Sequence, residues 1–232
     1  MAFPFPDKST PLIDQPPSII SQTWFDFLKG LSTKSFVSSI TAGAGLSGGT
    51  ITSTGTIALG SGNRVLLNTL TASNVASIAD TTSFTSTYND YEIQFDNVLP
   101  ATNAVQLRLR VNSGGVQSAS YLIASFIFTG GATGNAVSTT FFPCSNAIST
   151  VSNSANGGGV SGRMNLYQAA STTFRKMMSG TFSYLDSGGT LINHVLSSGY
   201  WDGGNGAVTG IEISFSSGNI TSGTVKIYGI VN

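Results

Sequence analysis

The side chains of this chain that can do chemistry are few, and most stand alone. His194 is the only histidine and Cys144 the only cysteine among 232 residues. A nucleophile–histidine–acid triad would have to be built on His194, yet no Ser or Cys near it sits in a nucleophile motif such as G-x-S-x-G. Its neighbours Ile192 and Val195, in an alternating run, point instead to a histidine packed in a strand. One His, one Cys and scattered acids do not give the ligand spacing of a zinc site, and no D-x-D-x-D-G loop offers calcium ligands. Cys144 reads as a small buried side chain, and a single cysteine forms no intramolecular disulfide. Glycoside hydrolysis needs two carboxyls about 5–10 Å apart. Asp186 and Asp202 in loops, and Asp90, Glu92, Asp96 and Glu212 in or beside strands, are the acids available, and nothing in their spacing pairs them. No enzymatic activity, no metal and no cofactor are expected.

Two short stretches are chemically richer. Gly43, Gly45 and Gly48 spell G-x-G-x-x-G, whose glycines and following helix N-terminus cradle a dinucleotide pyrophosphate in the folds that use it. That use needs a strand before the motif and a helix after it. Here Gly49 to Leu59 follows, rich in Thr and Ile without helical spacing, and no acid stands about twenty positions on. The match is read as incidental. The second stretch, Tyr200-Trp201-Asp202-Gly203-Gly204-Asn205-Gly206, sets two aromatics beside a carboxylate and an amide on flexible glycines. On a loop carried by a rigid sheet such a group stacks on a sugar ring and hydrogen-bonds its hydroxyls. The alternative is that Tyr200 and Trp201 close one end of a core while Asp202 makes a turn. Arg175 and Lys176, in a charge-poor stretch, either meet an acidic glycan or are simply solvated.

The elements that must position these residues are strands. Charged residues make up 9 % of the chain, glycines number 28 and the net charge is zero. That balance removes the electrostatic drive toward nucleic acid or anionic membrane. No apolar run has the length to cross a bilayer, and the N-terminus lacks a secretory signal pattern, so synthesis in a cytoplasm is expected.

Residues Met1 to Pro17 hold Pro4, Pro6, Pro11, Pro16 and Pro17, which disfavour helix and central strand alike and predict an extended arm. From Ser18, Ile20, Trp24, Phe27, Leu28 and Leu31 fall at helical spacing, with Ser18 or Ser21 to cap the start and Gly30 near the end. Ser38 to Leu59 is almost entirely Gly, Ser, Thr and Ala with isolated Ile and Leu. It has too little apolar area to order itself and is expected to gain order beside copies of itself. Beyond it, Tyr91, Ile93 and Phe95 alternate with polar residues, as do Val105, Leu107, Leu109 and Val111. If these two strands pair across a Leu99 to Asn103 turn, acids and arginines meet between them. The same alternation recurs at Val160 to Tyr167, Phe174 to Leu185, Leu191 to Gly199, Ile211 to Phe215 and Val225 to Ile230. Turn clusters at Asn112 to Gly115, Gly130 to Asn135, Asn153 to Gly159, Ser187 to Gly189, Gly203 to Gly206 and Ser216 to Ser222 separate them. Eight to ten strands without a helix predict an all-β, two-sheet antiparallel sandwich, jelly-roll-like in topology.

The succession LIDQPPSIISQTWFDFLKGL, ITAGAGLSGGTITSTGTIAL, STYNDYEIQFDNVLPATNAVQLRLRV and SSGNITSGTVKIYGIV resembles bacteriophage tail-fibre and related virion structural proteins. The resemblance implies an N-terminal part, residues 1–36, that anchors to other virion proteins through Phe3, Phe5, Leu12, Ile13, Trp24, Phe27 and Leu28. It implies a connector, 37–60, that joins three chains as a homotrimer, and a β-sandwich head, 61–232, that projects from the virion. Tyr200, Trp201, Asp202 and Asn205 are then the candidate receptor-binding residues, with a host-surface glycan as partner. A head-decoration or adaptor protein of purely structural role and a polysaccharide depolymerase are the alternative readings. Deleting Met1 to Leu31 is expected to leave a folded, soluble head that no longer joins particles. Purified particles that still carry the truncated chain would refute the anchor.

Overall fold

The computed structural model describes residues 13–14, 19–20, 22–33, 39–41, 46–47, 50–51, 55–59, 64–130 and 132–231. The chain divides into two compact units, Met1–Ser61 and Gly62–Asn232. In the first, β1 (Ile13–Asp14) pairs antiparallel with β2 (Ile19–Ile20), and α1 follows at Gln22–Thr33. Ile20 is therefore extended rather than helical, as suits two adjacent β-branched residues. Gly30 lies in the last turn of α1, near its end as expected; a glycine there weakens the helix by about 1 kcal/mol without stopping it. Trp24 and Phe27 meet edge to face at 5.8 Å, Phe27 is buried, and Phe25 and Leu28 are about half exposed. Phe3, Phe5 and Leu12 of the expected arm, and Gly43, Gly45 and Gly48, lie outside the described residues.

Within the connector, β3 (Ile40–Thr41) pairs with β5 (Thr50–Ile51) and β4 (Leu46–Ser47) with β6 (Ala58–Leu59). These ladders run within one chain and engage two residues per strand. Ile40 and Ile57 on this tract are exposed.

The second unit is the expected antiparallel sandwich. Its strands are β7 (Arg64–Val75), β8 (Ser77–Asp80), β9 (Asp90–Pro100), β10 (Leu107–Asn112), β11 (Tyr121–Thr129), β12 (Ala132–Ser138), β13 (Phe142–Pro143), β14 (Val160–Leu166), β15 (Lys176–Leu185), β16 (Ile192–Trp201), β17 (Gly210–Phe215) and β18 (Ile220–Ile230). The large sheet runs β12-β11-β16-β15-β14-β9-β18-β7 and the small one β13-β10-β17-β8. Eight strands face four, which is not the four-plus-four division of a jelly roll. One core, including Tyr91, Ile93, Phe95, Leu107, Leu109, Phe142, Phe182 and Trp201, fills the space between them.

Three expectations are corrected. The strands at Tyr91 and Leu107 do not pair: β9 lies between β14 and β18, and β10 between β13 and β17. The six residues joining them suffice to cross between stacked sheets about 10 Å apart, so consecutive strands part company. Glu92 consequently pairs with Arg64 of β7, and Arg110 reaches Glu212 of β17 at 3.9 Å. Second, Gly130 to Asn135 is not all turn, because β12 resumes at Ala132 and hairpins back on β11. Third, β18 begins at Ile220, inside the expected Ser216 to Ser222 turn.

Asp80, at the end of β8, is nearly wholly buried. It accepts from the Ser83 amide at 2.8 Å, the Asn68 amide group at 2.5 Å, the Ser83 hydroxyl at 2.7 Å and the Thr82 amide at 2.9 Å. Burial alone would raise its pKa, but these four donors outweigh it and hold the carboxyl below its ordinary 3.8. The sign follows directly. The unfolded chain takes up this proton first as pH falls, so Asp80 stabilises the head above about pH 4 and the contribution fades below it. In thermal melts between about pH 5 and about pH 2.5, Asp80→Asn is expected to show a shallower loss of stability than wild type. At neutral pH the variant, its amide facing donors, is expected to be about 1–3 kcal/mol less stable.

Candidate functional site

An open groove of about 750 Å3 lies at one end of the sandwich. Two loops build it. The first follows β14 and carries Tyr167, Gln168, Thr173, Phe174 and Arg175; the second follows β16 and carries Asp202 and Asn205. They are joined by backbone, since the Val208 amide donates to the Ala169 carbonyl at 2.8 Å. Met177 at the start of β15 forms part of the floor.

The first loop is held from beneath by a cation. Lys176 points inward and is almost fully buried. Its ammonium donates to the Ser171 carbonyl at 2.5 Å and the Phe174 carbonyl at 2.8 Å, while desolvation lowers its pKa. Ser171 Oγ accepts from the amides of Thr173 and Phe174, closing the turn that lifts Phe174 and Arg175 outward. Neither expected role of Lys176, glycan contact or plain solvation, is what the fold gives it.

Arg175 lies outside, on the groove. Its Nε donates to Asp202 Oδ2 at 2.9 Å, and its guanidinium carbon stands 4.7 Å from the centre of the Tyr200 ring. The partners' side chains are 55 % and 36 % exposed, so water screens the pair and its gain in stability is small. Its effect is to orient. The bond fixes one carboxylate oxygen and the guanidinium plane of two residues that both line the groove. Phe174 and Tyr167 add exposed ring faces.

Trp201 is not part of this surface. Position 201 shares the inward phase of Asn193, Val195 and Ser197, and its indole is buried in the core with Nε1 donating to the Ala119 carbonyl at 3.1 Å. The loop glycines make room for it: a methyl at Gly203 would lie 1.7 Å from the indole Cζ2. Of the four sequence-derived residues, then, Asp202 and Asn205 line the groove, Tyr200 borders it through Arg175, and Trp201 supports it from inside. Phe174, Arg175 and Tyr167 were not singled out together because their loop is remote in sequence from the Tyr200 loop.

The other chemistry-bearing residues are structural. His194 is on the outer face, not packed inside; its Nε2 lies 3.3 Å from Thr181 Oγ1 and its Nδ1 3.2 Å from Ser183 Oγ. Asp186 accepts from the amides of Leu191, Thr190 and Gly188, which organise its turn and lower its pKa. Cys144 is wholly buried, and that burial pushes its thiol up. A smaller depression of about 540 Å3 on the large sheet holds Arg64, Glu92, Asp96 and Arg163, whose charges offset one another. Among the described residues no cluster of three His, Cys, Asp or Glu side chains could hold a metal ion, and no helix is long and apolar enough to cross a membrane.

Fold and site together define an all-β sandwich with an open aromatic and charge-paired groove at one end. In comparison with known proteins, no family model, no curated protein and no solved structure matches this chain. Gly203→Ala is expected to lower head stability by about 1–3 kcal/mol through overpacking against the indole, read as a drop in melting temperature. An unchanged melt would contradict the packing described.

Proposed function

We propose that this chain is a short, homotrimeric projection of a bacteriophage particle, anchored to other virion proteins by its N-terminal part and displaying the sandwich for attachment to a host-surface glycan. The observation that carries this reading is the groove. It offers exposed aromatic faces for the apolar side of a sugar ring, and beside them an oriented carboxylate, a guanidinium and amides for its hydroxyls. The groove is borne on a compact unit separate from the part that holds the aromatic helix and the Gly/Thr tract, as a displayed head requires. The sequence resemblance supplies the virion setting.

The paired charges make the groove better suited to a neutral sugar than to a strongly acidic one, since Arg175 is already matched by Asp202. Full-length protein is expected to bind host-surface glycans on an array. Phe174→Ala and Arg175→Ala are expected each to weaken binding about tenfold, about 1.4 kcal/mol, without lowering the melting temperature of these exposed positions. Absence of binding to any host glycan would leave the purely structural reading, and release of reducing sugar from host polysaccharide would replace attachment with hydrolysis.

A further inference from the structure

The outer face of the large sheet is chemically divided. One row of directly opposed residues across it runs Phe126, Leu196, Thr181, Arg163, Gln94, Lys226. It is apolar at the β11 end and charged at the β18 end. The adjacent row runs from Ala124, Ser198 and Ser179, small and uncharged, to Asn165 and Glu92. On the half formed by β12, β11, β16 and β15, no described outward position is Asp, Glu, Lys or Arg.

This half also carries exposed apolar side chains, set among the polar Ser179, Thr181, Ser183, His194 and Ser198. Leu122, Phe126, Phe128, Val137, Ile192 and Leu196 are each 43 to 66 % exposed, and Met177 at the rim is 49 % exposed. At about half exposure such side chains offer on the order of 100 Å2 each and on the order of 700 Å2 in sum, interrupted by the Ala124, Ser198 and Ser179 row. The largest apolar patch on a monomeric protein is about 300–600 Å2. A stable association buries about 800 Å2 per partner, which this face nearly supplies.

We propose that this face is an interface between copies of the chain, so that the heads themselves associate. A face without Asp, Glu, Lys or Arg can converge with its copies on a threefold axis without opposing fixed like charges, whereas the β14–β9–β18–β7 half, with its fixed cations and carboxylates, cannot do so in an arbitrary register. The proposal adds to the trimeric reading a contact in the head, where that reading placed one only in the connector, and rests on it for the number of copies alone. Met177 belongs to both the groove floor and this face, so an associated copy would stand at the groove's edge.

The test uses the full-length chain. Sedimentation through a dilution series is expected to show an oligomer, and the double variant Phe126→Glu/Leu196→Glu to dissociate at about a hundredfold higher concentration than wild type. Because Cys144 is buried, Ala124→Cys supplies one reactive thiol at the centre of the face, and a short bis-maleimide is expected to link two copies through it. Thr69→Cys, exposed on the outer face of β7, is expected to stay unlinked. An oligomer in which Ala124→Cys is not linked and the double variant dissociates like wild type would overturn the head contact and leave the connector trimer standing. A wild-type monomer at tens of micromolar would overturn both. Should the glutamates impair folding, the single cysteine still decides.

Discussion

An eight-stranded sheet opposed by four strands leaves part of its inner face without a strand to cover it, and much of the head follows from how that area is filled. The cover is the segment from Phe142 to Val151, which has little regular structure and hence backbone groups that need partners. The strands above supply them. Ser197 donates to the Pro143 carbonyl, Asn146 donates to the Ser125 carbonyl and hydroxyl, Tyr184 donates to the Ser149 carbonyl and accepts from the Asn146 amide, and Asn193 donates to Ser149 Oγ. From the other sheet, Gln106 donates to the Ser145 carbonyl and Ser145 Oγ accepts from the Leu107 amide. Each bond is worth about 1 kcal/mol net, but an unmet partner would cost about 1–3 kcal/mol. The segment is thus specified by polar pairing together with the buried Phe142, Cys144 and Val151.

That arrangement alters the polarity of two strands. On β11 and β16 the inward series includes Ser125, Asn193 and Ser197, while the outward series includes Phe126, Phe128 and Leu196. An alternating strand normally hides its apolar side and wets its polar one. Here both sides are mixed, and the apolar surplus appears outside. The scarcity of charge sharpens the effect, because among the described residues the ionised groups of the large sheet's outer face gather on the other half, around Arg64, Glu92, Arg163 and Lys226.

The same physics accounts for what the sequence let one read. Period-two alternation identified strands at Tyr91, Leu107, Leu191 and Ile211, because it depends only on local geometry. It did not identify the partner of each strand, which depends on where the connections cross, and so β9 and β10 were joined when they belong to opposite sheets. The burial of Trp201 was legible in principle: with Val195 inward, position 201 falls six residues later in the same phase. What hid it was the Gly-rich run beginning two residues on, which resembles an exposed loop. Half of the groove was legible in the Tyr200 loop. The other half comes from residues some thirty positions earlier and becomes a neighbour only through the Val208–Ala169 bond and the pairing of β15 with β16.

Arg175 and Lys176 show how much one step of backbone decides. Adjacent in sequence, they leave the chain on opposite sides as β15 begins. Lys176 goes inward, beside Trp201 in the ladder, where loss of water disfavours its charge and two carbonyls of the preceding turn compensate it. Arg175 goes outward, keeps its water, and spends its directionality on Asp202 and the Tyr200 ring. The buried cation fixes the shape of the turn, and the turn fixes where the exposed cation, Phe174 and their ring faces stand. In a chain this poor in charge, the groove therefore owes its geometry to a lysine buried beneath it, and its exposed cation to an arginine already paired within the protein.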